Sequence, residues 1–129
     1  MSNYTTNLGE SMFSEQQIAR LLDLGNLACQ KGMVKEARTI IGGVLALRPD
    51  FAPALIGMAF THVVVDDFDG ALAILDKVLA ASPNDSDALA MLGLAHMLAG
   101  RRDEAEQAFA RIPQDAAAAD LARVIMEGA

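Results

Sequence analysis

The sequence predicts an all-α protein built as an array of helical hairpins, and three observations lead to this fold class. Hydrophobic residues make up 53% of the 129 residues and aromatic residues only 5%, a composition typical of compact, alanine-rich helices and not of disordered chains. Apolar residues recur at steps of three and four. The same landmarks also return at a fixed interval, as they do in internal repeats. At this length the chain forms one domain or one short array.

The interval is 34 residues, and it connects five sets of landmarks. Two prolines, Pro49 and Pro83, form the first set. The other sets are Leu21, Leu55 and Leu89; Gly25, Ala59 and Gly93; Gly32, Asp66 and Gly100; and Ala37, Ala71 and Ala105. This spacing predicts a single domain over residues 14–129, preceded by a flexible extension at residues 1–13. The predicted repeats are residues 18–51, 52–85 and 86–119.

Each repeat contains two predicted helices, separated by a turn at the Gly32, Asp66 or Gly100 landmark. The apolar stripe of the first helix is, repeat by repeat, Leu21, Leu24, Gly25 and Ala28; Leu55, Met58, Ala59 and His62; and Leu89, Leu92, Gly93 and His96. The stripe of the second helix is Ala37, Ile41 and Val44; Ala71, Leu75 and Val78; and Ala105, Phe109 and Ile112. Each repeat is therefore predicted to be a helical hairpin.

The two ends of the array carry their own signals. Ser14 and Gln17 have the spacing of a capping box and predict the start of the first helix. Pro113 predicts an early end for the last helix of the third repeat. The segment at about residues 115–127 predicts a capping helix, which a repeat array needs at its end. The expected apolar stripe of that helix is Ala117, Leu121, Val124 and Ile125.

The pattern within the repeats resembles the tetratricopeptide repeat, a 34-residue helix–turn–helix. Leu21, Gly25, Ala37, Ile41 and Pro49 stand at positions 4, 8, 20, 24 and 32 of the first repeat, where that family carries a large apolar residue, a small residue, Ala, an aromatic or aliphatic residue and Pro. The chain departs from the family at position 11, where Tyr is replaced by Ala28, His62 and His96. The resemblance implies that small residues at positions 8 and 20 let the two helices of a hairpin approach closely.

Charge and cysteine content narrow the classes of function. Ten basic against seventeen acidic residues give a net charge of −7. This negative charge disfavours binding to nucleic acid or anionic lipid. Cys29, the single cysteine, fits a reducing compartment. Residues 1–13 show no export signal, and the longest apolar stretch, residues 52–65, is too short to cross a bilayer. We expect a cytoplasmic protein without nucleic-acid partners or membrane insertion.

No set of residues in the sequence predicts catalysis, a cofactor or a metal site, so we do not expect an enzyme. His62 and His96 share one repeat position and are expected to pack against neighbouring helices rather than bind a metal. Cys29 is expected to be a small buried residue. Gly42 and Gly43 lie inside a predicted helix and not in a phosphate loop. We expect either close packing against a neighbour, which is the favoured explanation, or a locally weak point in that helix.

The resemblance implies a concave surface lined by the first helices of the repeats, at positions 2, 5, 9, 12 and 13. Asp87 stands at position 2 of the third repeat. Most other residues at these positions are apolar, and the candidate groove residues are Leu22, Asn26, Cys29, Pro53, Ile56, Phe60, Val63, Val64, Ala90, Leu94, Met97 and Leu98. An exposed apolar patch marks a partner site, and a client protein is the predicted partner. The alternative is that these side chains extend the core.

The groove residues also indicate the type of ligand. Family members that bind acidic C-termini use a clamp of Lys, Asn and Arg, and only Asn26 matches it here. An apolar groove suits an amphipathic helix or an extended apolar peptide instead. The competing hypothesis is a scaffold that self-associates through the same apolar face.

A narrower resemblance rests on the small size, acidity and apolar groove of the chain. These features are similar to those of the bacterial type III secretion chaperones, which hold a needle subunit or a translocator. That resemblance implies a bound client, together with either a small co-chaperone or self-association into a homo-oligomer.

Overall fold

A computed structural model describes residues 13–128 of the chain. In that range it contains seven helices and no strand. The helices are α1 Glu15–Gln30, α2 Val34–Leu47, α3 Ala52–Val64, α4 Phe68–Ala81, α5 Ser86–Leu98, α6 Arg102–Ala110 and α7 Ala117–Glu127. The predicted all-α hairpin array is confirmed. The predicted flexible extension at residues 1–13 lies outside the described residues, apart from Phe13.

The helices form two layers. Helices α1, α3, α5 and α7 pack side by side in chain order and make the first layer. In the second layer, α2, α4 and α6 each pack against the preceding helix, and α2 and α4 also contact the following helix of the first layer. Three consecutive hairpins thus stack into a short solenoid, and the first layer lines one of its faces.

The turn inside each hairpin contains one residue with a left-handed backbone. Gly32 and Gly100 have φ angles of 81° and 82°, and Asp66, at the equivalent position, has a φ of 62°. Glycine adopts this conformation without a steric penalty, and Asp is one of the few other residues that tolerate it. The landmark at these three positions therefore marks the residue at which the chain reverses.

Side-chain caps begin several helices. Ser14 Oγ accepts a hydrogen bond from the backbone N–H of Gln17 at 3.1 Å, and the backbone N–H of Ser14 donates to Gln17 Oε1 at 2.8 Å, which confirms the predicted capping box. Asp67 and Asp85 cap α4 and α5 by accepting hydrogen bonds from backbone N–H groups three residues later, at 3.1 and 3.0 Å. These bonds satisfy donors that the first turn of a helix leaves without partners.

Prolines follow the ends of the second-layer helices. Arg48 and Ser82, which precede Pro49 and Pro83, share φ and ψ angles of −139° and 83°, because a residue before proline disfavours the helical conformation. Helix α6 has 9 residues, whereas α2 and α4 have 14 each. The predicted early end of this helix before Pro113 is confirmed.

Small residues let the helices of a hairpin approach closely, as expected. A Cβ atom added at Gly25 would lie 2.8 Å from Cγ1 of Ile41, and one added at Gly93 would overlap the ring of Phe109. The three alanines at repeat position 20 are completely buried: Ala37, Ala71 and Ala105. The largest core cluster extends from α3 to α7, and two smaller clusters join α1 and α2 to α3.

The expectation of close packing at Gly42 and Gly43 is wrong. A Cβ atom added at either glycine would meet nothing within 4 Å among the described residues. Both residues lie in the middle of α2. Each glycine therefore stabilises the helix less than alanine would, and it permits no close contact in return.

The expectation that Leu24 lies on an inner stripe is also wrong, since its side chain is 53% exposed. Its equivalents in the next two repeats, Met58 and Leu92, pack into the core. The difference arises because α1 is the first described helix, and no second-layer helix of the described range packs against its outer side.

The predicted helix at the C-terminal end is present, but its apolar stripe is rotated from the expected one. Leu121 and Val124 are 55% and 65% exposed, whereas Ala122 is buried. Ala118, Ala119, Ile125 and Met126 pack against the core with Ala122. Helix α7 lies mainly against α5 and touches α6 only lightly, because α6 ends early. The small alanines of α7 allow the approach to α5.

Candidate functional site

A concave cleft runs along the first layer of helices and has two contiguous halves. The half toward the N-terminus has a volume of about 390 Å³ and lies between α1, α3 and α5. The half toward the C-terminus has a volume of about 360 Å³ and lies between α3, α5 and α7. Ile56, Asp87 and Met91 line both halves. The two halves therefore form one continuous trough across the array.

Half of the predicted groove residues line this cleft. Four lie in the half toward the N-terminus: Asn26, Pro53, Ile56 and Phe60. Ala90 and Leu94 lie in the half toward the C-terminus, together with Ile56. Phe60 also packs against the small core cluster of Ala28, Cys29 and Ala37. Leu94, in contrast, is half-buried and is not among the residues packed against the core clusters, so its side chain belongs to the cleft surface.

The other six predicted groove residues do not line the cleft. Leu22, Cys29 and Val63 are 5%, 0% and 3% exposed and belong to the core, so the idea that groove positions extend the core is correct for these three. Met97 is half-buried and packs against the core. Leu98 is exposed beside the hairpin turns, next to residues 66–69. Val64 is exposed at the end of α3.

Several cleft residues were absent from the predicted groove set. Gln30 and Asp87 stand at groove positions of the repeat, whereas Gly57 and Met91 share repeat position 6. The far wall of the cleft is formed by α7, through Ala117, Ala118, Leu121 and Ile125. The predicted C-terminal helix follows the third hairpin in the place of one more first-layer helix, and that place indicates that it lines the cleft.

The polar groups of the cleft are few. Asn26 lies at the floor, and its Oδ1 is buried without a hydrogen-bond partner among the described residues. That oxygen packs on Gly57, where an added Cβ atom would lie 2.9 Å from it. Asn26 lines the cleft, and a side-chain amide can donate a hydrogen bond to a carbonyl of a ligand.

Asp87 is the one charged residue among the described residues that line either half of the cleft. It is exposed and lies in the first turn of α5. No Lys or Arg of the described chain lines the cleft. The site is therefore mainly apolar, with the Asp87 carboxylate near its centre and the side-chain amides of Asn26 and Gln30 in the half toward the N-terminus.

The two histidines lie outside the cleft and make equivalent contacts in successive repeats. His62 Nδ1 lies 2.8 Å from Asp67 Oδ2, and the hydrogen bond from this histidine lowers the pKa of Asp67. Arg101 donates from Nε to His96 Nδ1 at 3.0 Å. Each histidine thus contacts the residue five positions later, beyond the hairpin turn, and supports that turn.

Cys29 and Thr61 are completely buried between the helices. Burial raises the pKa of the Cys29 thiol, as expected for a structural cysteine. The Thr61 hydroxyl donates to the carbonyl of Met58 at 2.6 Å and accepts from Nε of Arg38 at 3.0 Å. Within the described range, no group of three or more His, Cys, Asp or Glu could hold a metal ion. No helix in that range is long and apolar enough to span a membrane.

The two helical layers and the concave cleft define the chain as a helical-repeat protein of the solenoid class. Residues 65–125 match the family model of the tetratricopeptide repeat. The fold is thus the helical-hairpin array that the sequence predicted, and about half of the chain resembles the tetratricopeptide repeat.

Solved structures agree with this assignment. The first tetratricopeptide-repeat unit of Spaghetti (RPAP3), bound to the HSP90 peptide SRMEEVD, matches with a TM-score of 0.67 and 18% identity, over 89% of this chain and 94% of that chain. A tetratricopeptide repeat protein from Parabacteroides merdae ATCC 43184 matches with a TM-score of 0.64 and 22% identity, over 92% and 47%. MamA MSR-1 C2 matches with a TM-score of 0.54 and 26% identity, over 82% and 62%. No curated protein is significantly similar to the chain.

Proposed function

We propose that the chain is a non-enzymatic protein-binding module that holds an apolar or amphipathic segment of a client protein in the concave cleft. The observation that carries this proposal is the continuous trough between α1 and α7, which is mainly apolar and has Asn26, Gln30 and Asp87 as its polar side chains. A folded monomer rarely leaves such a surface open unless a partner covers it. The fold is a scaffold for protein interaction, and the similar Spaghetti unit was solved with a peptide.

The dimensions of the cleft support a peptide rather than a small metabolite as the ligand. The trough is open along its length, and its two halves together extend across all four first-layer helices, from α1 to α7. An amphipathic helix or an extended segment would place successive apolar side chains in the two halves. Met91 and Ile56, which line both halves, would contact the middle of that segment.

Two finer expectations remain proposals. A chaperone working in the cytoplasm fits the single buried cysteine and the acidic charge. A place in type III secretion has no support from the family match or from the structures compared above. Purification from the native cells followed by native mass spectrometry tests both expectations, since a secretion client would be seen as a stoichiometric small protein.

The second candidate function is a scaffold that self-associates. The observation that favours it is the set of exposed apolar side chains outside the cleft, at both ends of the array: Leu24, Leu27 and Val124. Association through these end residues would need no foreign client and would persist after a charge is placed in the cleft, whereas association through the apolar face of the cleft would be lost on that substitution.

Leu94→Asp tests the first proposal. The substitution places a charge in the half of the cleft beside α7, on a side chain that does not pack into the core. We expect binding of a fluorescent amphipathic peptide with a leucine stripe, measured by anisotropy, to fall by a factor of at least about 10, because a buried apolar contact is replaced by a carboxylate that must lose its hydration.

Leu98→Asp is the matched control. It lies one helical turn further along the same helix, is 57% exposed and does not line the cleft. We expect its peptide affinity and circular dichroism to match those of the unsubstituted protein. Equal peptide binding by the Leu94→Asp variant and the unsubstituted protein would reject the cleft as the binding site.

A further inference from the structure

The charge distribution in the cleft limits which apolar segments it can hold. Asp87 lies where the two halves of the cleft meet, so any segment that fills both halves passes its carboxylate. No cationic side chain of the described residues lines the cleft to balance this carboxylate.

The basic residues of the described chain do not line the cleft, and several of them are engaged with other groups. Arg38 donates to Thr61, Arg101 to His96, and Arg102 to Glu106. Lys77 pairs with Asp50 at 3.6 Å. The Asp87 carboxylate, in contrast, makes no ion pair or side-chain hydrogen bond with the described residues, and it lines the open trough.

Local helix chemistry does not require Asp87. Asp85 already caps α5, because its Oδ1 accepts a hydrogen bond from the N–H of Ala88. The equivalent residues in the first two repeats are Ala19 and Pro53, so the repeat fold forms without a carboxylate here. An acidic residue in the first turn stabilises a helix slightly through the helix dipole. That stabilisation is the same whether or not the carboxylate lines the cleft.

We propose, on the basis of the client-binding function above, that the cleft selects amphipathic segments carrying a Lys or Arg beside their apolar residues, and that Asp87 is the residue that pairs with this cation. Acidic segments are disfavoured for the same reason. The similar Spaghetti unit was solved with the peptide SRMEEVD, which has three acidic residues. The cleft of this chain has the opposite charge preference, because a carboxylate stands among its apolar walls.

A pair of twin peptides provides the test. Both are labelled amphipathic helices of about 15 residues with the same leucine stripe, and they differ only in having Lys or Glu beside that stripe. We expect the Lys peptide to bind the unsubstituted protein about fivefold more tightly at low salt, as for an exposed ion pair. The preference should shrink at high salt, because added ions screen the pair.

Asp87→Lys should reverse the preference of the protein for the Lys peptide over the Glu peptide, and Asp87→Asn should abolish it. Asp103→Lys is the matched control, since Asp103 is also an exposed acid in the first turn of its helix, α6, and does not line the cleft. It changes the net charge by the same amount. An equal change in preference from Asp103→Lys would overturn the role of Asp87, because general attraction to an acidic protein would then explain the result.

The outcomes separate this inference from the proposed function. Equal binding of the two peptides, lost in Leu94→Asp, would overturn the charge selection and leave the client-binding cleft standing. Absence of binding by both peptides, or binding unaffected by Leu94→Asp, would overturn both proposals. A reversed peptide preference in Asp87→Lys, with an unchanged preference in Asp103→Lys, would support both proposals.

Discussion

At the scale of single residues, a few positions allow almost no choice of side chain. Gly93 must be glycine because the ring of Phe109 occupies the space of its Cβ atom. Residues at the hairpin turns must adopt a positive φ, which Gly32 does freely and Asp66 does as one of the tolerant residue types. Such positions are visible in the sequence because the steric requirement selects the same small set of residues in every repeat.

His96 makes the stability of the protein depend on pH. Its Nδ1 accepts a hydrogen bond from Arg101, so this nitrogen carries no proton in the folded protein. Burial, and then the positive charge of Arg101, lower the pKa of His96 from its ordinary value of 6.5, against weaker opposing effects of Glu104 and Asp76. The unfolded chain therefore takes up the proton first. We expect the free energy of unfolding to decrease as the pH falls below 6.5 through the folded-state pKa.

Urea unfolding at a series of pH values measures this effect. The decrease should be smaller in His96→Gln, which has no imidazole to protonate, and the midpoint of the His96 resonance in an NMR titration should lie below 6.5. A midpoint at or above 6.5 would contradict the inferred environment of the ring.

At the scale of the helices, α2 is less stable than its length suggests. Gly42 and Gly43 lie in its middle and face open space. Alanine at either position would fill no occupied volume, and it would lower the conformational entropy of the unfolded chain. We expect Gly42→Ala and Gly43→Ala to raise the free energy of unfolding by about 0.5–1 kcal/mol each, as measured by urea denaturation.

The same substitution at Gly93 is the control, because its new Cβ atom would collide with the ring of Phe109. We expect Gly93→Ala to destabilise the protein by about 1–3 kcal/mol, as overpacking of a core does. A loss of stability in Gly42→Ala would show that this part of α2 contacts groups beyond the described residues.

The sequence pattern predicted the position of helix α7 in the chain but not which of its faces is buried. Both its existence and its approximate bounds were predictable from Pro113 and the apolar residues that follow. Its orientation was not, because a stripe of Ala118, Ala122 and Ile125 is as compatible with the sequence as the expected stripe through Leu121 and Val124. The short α6 and the surface of α5 decide between them.

At the scale of the whole molecule, the open cleft connects binding with stability. A ligand that binds only the folded state stabilises it by about 2.7 kcal/mol at a free concentration 100 times its dissociation constant. For a domain of this size we expect a peptide that fills the cleft to raise the melting temperature by roughly 10 °C. Differential scanning fluorimetry measures this shift, which should be absent in Leu94→Asp and retained in Leu98→Asp. A shift of equal size in both variants would place the ligand outside the cleft.

The sequence by itself determined the class of fold, the hairpin turns and the helix ends, because these depend on local chemistry: a positive φ at the turn, a cap at Ser14, prolines that end helices, and small residues where helices cross. Six of the cleft residues were also predictable, from their periodic positions. Only the tertiary structure decided which apolar residues are exposed. Leu22, Cys29 and Val63 face the core, and α7 closes the far side of the cleft. The exposure of a side chain depends on which helices lie against each face, and the periodicity of one helix does not indicate which helices will be its neighbours.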